Sequence, residues 1–344
     1  MREQARQWRV RLVNLFEVLD PETVFRRTTG INPEDLYNKR LARGWTLGLA
    51  QELVLFQLLI RASHNTITNR LRRHWLKTKP DLVVSLVPNF NRSMYEALVS
   101  ALPSSSYVTV LTDFADYRGH FWIEPNQIQH FICGTAKAAQ QARMTASKHA
   151  TIHETSGMIL APQFYSDIEI DRATEMQKYG LDPERPTGLV LFGGQGSRAM
   201  CGIAEELADV QLVLMCGHNA RLASRLRAMK AAAPRLVVNF TTNVPYFMAL
   251  SDFFVGKPGP GSISEAVQKR LPVIVARNAY TMPQERYNTV WVLAHGVGVV
   301  IKSFKAVRQG VAEVTRRLHE LRENTKRVRN RALFEVPEII DRIL

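Results

Sequence analysis

Short apolar runs rich in β-branched residues alternate along this chain with longer stretches whose apolar positions recur every three or four residues. Runs of the first kind at 10–15, 82–87, 107–111, 128–133 and 158–160 read as strands of one sheet. A charged, turn-rich stretch, 166–186, then interrupts the rhythm, and it resumes at 189–192, 212–216, 236–239, 253–256, 273–276 and 297–301. Strands separated by helical segments predict an α/β protein with parallel sheets in two domains, divided near Asp171. Val307, Val311, Val314, Leu318 and Leu321 carry helical spacing and predict a helix over 306–330, with a short one at 337–344. The division is therefore 1–170, 171–320, and a C-terminal helical segment, 321–344, expected to pack back on the first domain.

The segment 45–60 departs from the pattern because Leu47, Leu49, Leu53, Val54, Leu55, Phe56, Leu58, Leu59 and Ile60 leave little polar face. Gln51, Glu52 and Gln57 argue against a spanning helix, and Arg61, Arg70, Arg72, Arg73, Lys77 and Lys79 follow closely. An apolar helix beside a basic cluster suits a bilayer interface; an ordinary core helix is the competing reading. Charge sharpens the picture. Of the net +14, residues 1–80 carry 15 Lys/Arg against 7 Asp/Glu and residues 302–344 carry 11 against 6, so the middle is nearly neutral. Basic ends fit an anionic surface such as phospholipid headgroups. Without aromatic-interleaved basic motifs or a zinc signature, nucleic acid is not expected. No apolar segment reaches the roughly 18 residues of a spanning helix, and the first residues lack a signal-peptide pattern. The expected place is the cytoplasm, peripheral on the cytoplasmic face of the membrane. Cys133, Cys201 and Cys216 lack metal-ligand spacing and read as reduced and buried.

Candidate chemistry gathers at the strand-to-helix junctions of the second domain. Gly193-Gly194-Gln195-Gly196-Ser197 follows one strand, and Lys257-Pro258-Gly259-Pro260-Gly261-Ser262-Ile263-Ser264-Glu265-Ala266 follows another. Glycines let backbone approach a ligand closely, and the unpaired N–H groups of a helix start attract an anion. Ser262 and Glu265 also match a capping box, a reading that leaves the second turn purely structural. No G-x-G-x-x-G or P-loop occurs, and Cys216-Gly217-His218-Asn219 stands where a dinucleotide enzyme places an acid. Two such turns on one sheet favour a nucleoside diphosphate. Asn239-Phe240-Thr241 is suited to a nucleobase, Glu265 to a ribose diol, and Gln284, Glu285 and Asn288 to sugar hydroxyls; any one of them alone reads as surface loop.

The order of these motifs resembles glycosyltransferase family 28, in particular the monogalactosyldiacylglycerol synthases and processive diacylglycerol glycosyltransferases, with the peptidoglycan GlcNAc transferase more distant. The resemblance extends into the first domain through Lys79-Pro80-Asp81-Leu82-Val83-Val84-Ser85 and Thr112-Asp113-Phe114, with His120 and Trp122 beyond. It implies a GT-B fold, two facing Rossmann-like domains with a cleft between them, the C-terminal one holding a UDP-sugar and the N-terminal one a lipid acceptor. Glu265 would hold the ribose, Ser262 and the Gly196-Ser197 backbone the diphosphate, Phe240 the base, and Gln284 and Glu285 the sugar. The implied activity is hexosyl transfer to a lipid hydroxyl such as that of diacylglycerol, without a metal or other cofactor.

Members of that family begin with a strand and a Gly-Gly-Gly-His turn. Here residues 1–8 resemble the later part of the following helix, and 10–15 the family's second strand. The expectation is a late start or a lost loop, with impaired turnover, and Asp113 and His120 as the titratable candidates in the acceptor half. A UDP-sugar 2-epimerase and a non-catalytic lipid- or nucleotide-binding protein are the alternatives.

Overall fold

Two all-parallel sheets organise the residues described by the computed structural model, 8–19, 49–117, 121–279 and 281–344. The first sheet runs β1 (Leu82–Ser85), β2 (Ser106–Val110), β3 (His130–Cys133), β4 (Thr151–Glu154), in that spatial order. Around it lie α1 (Leu15–Leu19), α2 (Leu49–Ala62), α3 (His64–Thr78), α4 (Asn91–Ala101) and α5 (Ala136–Thr145). The second sheet contains β5 (Thr187–Leu191), β6 (Gln211–Met215), β7 (Arg235–Val238), β8 (Phe253–Gly256), β9 (Val273–Ala276) and β10 (Gly298–Ile301), ordered β10-β9-β8-β5-β6-β7. Its helices are α6 (Arg172–Lys178), α7 (Ala199–Glu206), α8 (Ala220–Ala228), α9 (Val244–Ala249), α10 (Pro260–Gln268), α11 (Arg286–Ala294), α12 (Val307–Arg316) and α13 (Leu318–Arg327). The last helix is α14 (Ala332–Ile343).

Helices on both faces explain why β5, β6, β8 and β9 are buried along their whole length and read as unbroken apolar runs. Alternate residues feed two cores: Leu189, Val213, Phe254 and Val273 on one side, Val190, Leu212, Val255 and Ile274 on the other. Each such side chain contributes roughly 1.5–3 kcal/mol by leaving water. Strand order reverses between β5 and β8, where the chain starts in the middle and winds outward each way. That reversal opens a crevice at their carboxyl ends.

The chain crosses between the domains twice, and the crossings lie side by side. Met158, Leu160 and Phe164 enter the core of the second domain together with Phe114 of the first. On the return, Asn330 donates from Nδ2 to the Met158 carbonyl at 2.8 Å, and its Oδ1 accepts from the Tyr165 hydroxyl at 3.2 Å. A Cβ on Gly157 would collide with the Asn330 side chain. Beyond it, Ala332, Val336 and Ile339 of α14 pack on Val108, Val110 and Ile132 of the first sheet.

Several expectations fail for identifiable reasons. No strand forms over 10–15, where Val10 and Leu12 are 72% and 93% exposed and α1 begins at Leu15. Met158 and Leu160 owe their apolar character to the domain junction, and 158–160 is not a strand. The fourth strand is instead the Thr-Ile-His-Glu run of β4, polar because it lies at the sheet edge. The 166–186 stretch contains α6, anchored by fully buried Met176. The helix expected over 306–330 is two, α12 and α13, meeting at Arg317. Residues 45–48 lie outside the described residues, and α2 begins at Leu49.

Candidate active site at the carboxyl ends of the strands

Both Gly-rich turns lie at the β5–β8 switch point. After β5, Gly193 and Gly196 take φ of 73° and 60°, and the Gly193 carbonyl accepts from the Gly196 N–H at 3.2 Å. The turn after β6 locks onto it: the His218 N–H donates to the Gly194 carbonyl at 2.8 Å, and Asn219 Nδ2 donates to the Gln195 carbonyl at 3.3 Å. Asn219 Oδ1 also caps α8, accepting from the Leu222 N–H at 3.0 Å. Gly217, at φ 58°, has no room for a side chain, since a Cβ would collide with the Gly194 carbonyl. Gly217→Ala combines left-handed strain with that collision and is expected to cost about 2–4 kcal/mol. Urea unfolding checks this; a loss below about 0.5 kcal/mol would mean the two turns are not interlocked.

His218 stacks on Phe240 with ring centroids 3.8 Å apart and planes 19° from parallel. Phe240 stays 53% exposed, so one ring face is backed by imidazole and the assembly forms a platform for a flat ring. Thr241 is occupied locally, its hydroxyl accepting from the Asn243 N–H at 3.0 Å. Ser197 likewise accepts from the Ala199 N–H at 3.3 Å.

The turn after β8 departs from the capping-box reading. Gly259 is the N-cap, α10 begins at Pro260, and no side chain caps it. Ser262 therefore sits inside the first turn, where the N–H groups of Gly261 and Ser262 have no intrahelical acceptor. Above Gly261 a Cβ would meet open space. Glu265, one turn further, is half-buried, and burial pushes its carboxyl up to about 7. Beneath the turn, Lys257 Nζ donates to Glu285 Oε1 at 2.8 Å, and Glu285 is only 4% exposed. Fully buried Asn288 donates from Nδ2 to the Pro258 carbonyl at 2.7 Å, while its Oδ1 finds no partner among the described residues. Gln284 lies on the 3-10 turn Pro283–Glu285, its amide facing the Met282 sulfur at 3.8 Å.

The first domain brings Asp113 to this cluster. It follows β2, accepts from Trp122 Nε1 at 2.8 Å, and its carboxyl is pushed up to about 6, chiefly by burial. The Glu285 carboxylate adds to that rise and Lys257 opposes it, so Asp113 lies within electrostatic reach of the Lys257–Glu285 pair. Phe114 packs on Trp291 of α11, ring centroids 4.8 Å apart, and fixes the Asp113 loop to that helix. His120 lies outside the described residues. Asp116 is a group that the motifs missed: it accepts from the Trp122 N–H at 2.9 Å, and burial pushes it up to about 7. Its spacing from Asp113 was visible, but its role in folding the loop back was not. Among the described residues no cluster of three or more His, Cys, Asp or Glu is placed to hold a metal, and no helix is long and apolar enough to cross a membrane.

Comparison with known proteins agrees with this fold. The glycosyltransferase family 28 C-terminal domain matches residues 189–343. A probable monogalactosyldiacylglycerol synthase, chloroplastic, of Glycine max is 26% identical over 273 residues, covering 76% of this chain and 50% of that protein. The processive diacylglycerol beta-glucosyltransferase of Staphylococcus carnosus (strain TM300) is 28% identical over 256 residues, 72% of this chain and 62% of that protein. The chain thus spans between half and two thirds of the length of these curated relatives. Among solved structures, MurG of Acinetobacter baumannii superposes with a TM-score of 0.56 at 13% identity, over 80% of this chain and 77% of that one. Residues 189–343 thus match the glycosyltransferase family 28 C-terminal domain, and with the first parallel-sheet domain the chain has the GT-B fold.

Proposed function

We propose that this chain transfers a hexose from a UDP-sugar to the hydroxyl of a lipid such as diacylglycerol. The observation that carries the reading is the Phe114–Trp291 contact, which brings the Asp113 loop of the first domain to the second domain, whose two Gly-rich turns lie at the switch point. The uracil would lie on the Phe240–His218 platform and the ribose diol on the Glu265 carboxylate. The diphosphate would take the free N–H groups of Gly261 and Ser262 and the backbone of Gly196 and Ser197, supported by the positive end of α10. These protein groups meet the leaving charge in our reading, with no metal assigned. Gln284 and Glu285 suit the hydroxyls of the sugar, with buried Asn288 holding the turn beneath them through the Pro258 carbonyl.

Chemistry then needs a base. The acceptor oxygen attacks the anomeric carbon, the bond to the diphosphate breaks with its electron pair, and the hydroxyl proton passes to Asp113, with His120 the other candidate. Incubating the protein with radiolabelled UDP-glucose or UDP-galactose and diacylglycerol vesicles is expected to give organic-extractable label. Epimerised sugar nucleotide without lipid product would sink the reading.

Access to a lipid points to α2. Val54, Leu55, Leu58 and Leu59 are more than half exposed, and residues 54–80 hold six Lys/Arg and no acidic residue. This apolar ridge with a basic margin fits a peripheral position on an anionic leaflet, such as the cytoplasmic one. Replacing Leu55, Leu58 and Leu59 by serine is expected to weaken binding to anionic vesicles by about tenfold or more without changing UDP affinity. Unaltered vesicle binding would move the contact elsewhere.

A further inference from the structure

Trp122 is held at each of its polar atoms. The residue is 1% exposed, and its N–H, its carbonyl and its indole N–H all have partners. The carbonyl accepts from Asn91 Nδ2 at the start of α4 at 3.1 Å, and Asn91 is fixed in turn by the Tyr107 hydroxyl of β2, which donates to its Oδ1 at 2.9 Å. The N–H donates to Asp116 Oδ1 at 2.9 Å. The indole Nε1 donates to Asp113 Oδ2 at 2.8 Å, and Asp113 Oδ1 takes no hydrogen bond among the described residues.

Asp116 is itself bolted to the fold. Gln141 of α5 pairs with its backbone in both directions, Oε1 accepting from the Asp116 N–H at 2.9 Å and Nε2 donating to the Asp116 carbonyl at 3.1 Å. With the backbone fixed, the carboxyl is left to hold Trp122. It faces the N–H groups of Trp122, Ile123 and Tyr117 and the Asp113 carboxylate, while Asp113 faces Trp122, Glu285 and Lys257. Burial pushes Asp116 up to about 7, so near pH 6 it is mostly uncharged, and its carbonyl oxygen still accepts. The indole is thus located by an acceptor that adds little negative charge beside Asp113 in the range where that residue titrates. Placement matters because a reacting group misplaced by about 1 Å can cost about a hundredfold in rate.

We propose that Asp116 is a positioning residue for hexosyl transfer: through Trp122 it holds Oδ2 of Asp113 and leaves Oδ1 to take the proton of the acceptor hydroxyl. The inference rests on the reading of Asp113 as the base. Asp116 acts over two hydrogen bonds and touches no substrate.

The test is steady-state hexosyl transfer by the full chain and its variants between about pH 5 and 8. Asp116→Asn keeps an oxygen for the Trp122 N–H and is expected to retain at least about a third of the parental kcat. Asp116→Ala removes that oxygen and should lower kcat about tenfold or more with KM for the UDP-hexose unchanged. The acid limb of kcat/KM separates positioning from damage to the fold. Donation from Trp122 holds the Asp113 carboxyl down against burial. Losing it should move the limb upward from about 6, by about half a pH unit or more, in Asp116→Ala and in Trp122→Phe but not in Asp116→Asn. Partial unfolding lowers the rate and leaves the limb in place. An unmoved limb in Asp116→Ala, or an Asn variant as slow as the Ala variant, would overturn the role of Asp116 and leave Asp113 as the base. Should Asp116→Ala not fold, Trp122→Phe decides, and a parental limb there overturns the inference. An Asp113→Asn protein that stays active would overturn the base reading, and the role of Asp116 with it.

Discussion

Asp113→Asn is expected to lower hexosyl transfer by about 10²–10⁴-fold while leaving UDP-sugar affinity nearly unchanged. Asparagine keeps the shape of the side chain and still accepts from Trp122 Nε1, the bond that orients Asp113 at 2.8 Å. What it loses is an oxygen that can take a proton. Burial puts the Asp113 carboxyl at about 6, so the charged, proton-accepting form fills only above that value. Wild-type kcat/KM should accordingly fall as pH drops through about 6, and the residual activity of the variant should lack that limb. The stability effect has the opposite sign to a damaged fold. A carboxyl raised above its unfolded value of 3.8 favours the folded state most at pH below that value, and the benefit is lost as pH rises through about 6. At neutral pH the buried charge is a burden that asparagine removes. Urea unfolding at pH 7.5 should show a variant at least as stable as the parent; an active Asp113→Asn protein would remove Asp113 from the proton path.

Glu265→Ala should weaken binding of a UDP-hexose by about 10–100-fold at pH 8, the loss of one or two charge-assisted hydrogen bonds to a ribose diol. A UDP-hexose is the right probe because its diphosphate diester does not titrate in this range. Burial alone raises the Glu265 carboxyl to about 7, and the diol needs an acceptor. Affinity of the wild-type protein is therefore expected to fall as pH decreases from 8 to 6, and calorimetry on Glu265→Gln should give a flat profile. A wild-type profile as flat as that of the variant would sever Glu265 from the ribose. The two substitutions separate the halves of the site, one lowering turnover at constant affinity and the other lowering affinity.

The second domain was legible because its information is local. Each candidate turn begins at a strand end, and a parallel sheet buried on both faces writes its strands as plain apolar runs, so 253–256 and 273–276 emerge with their observed limits. Local reading also misled at one point, since Ser262 and Glu265 have the spacing of a cap while Gly259 takes that position. The first domain was harder. β4 is a polar edge strand, the apolar residues at 10–13 are exposed, and 158–160 is apolar for the sake of a domain junction. A cavity in the first domain assembles Gln57, Asn89 and Glu124 from three separate segments, and no spacing within a window joins them.

The paired crossings between the domains restrict how the cleft can open. A single connecting strand would leave the domains free to swivel about three axes, as on a ball joint. Here two segments run together, stitched by Asn330 to Met158 and Tyr165 and clamped by α14 on the first sheet. Two linked segments hinder twisting more than bending, so opening of the cleft is expected to be hinge-like. Opening would separate Asp113 from Lys257 and Glu285 along a fixed arc, and each closure would return them to the same register.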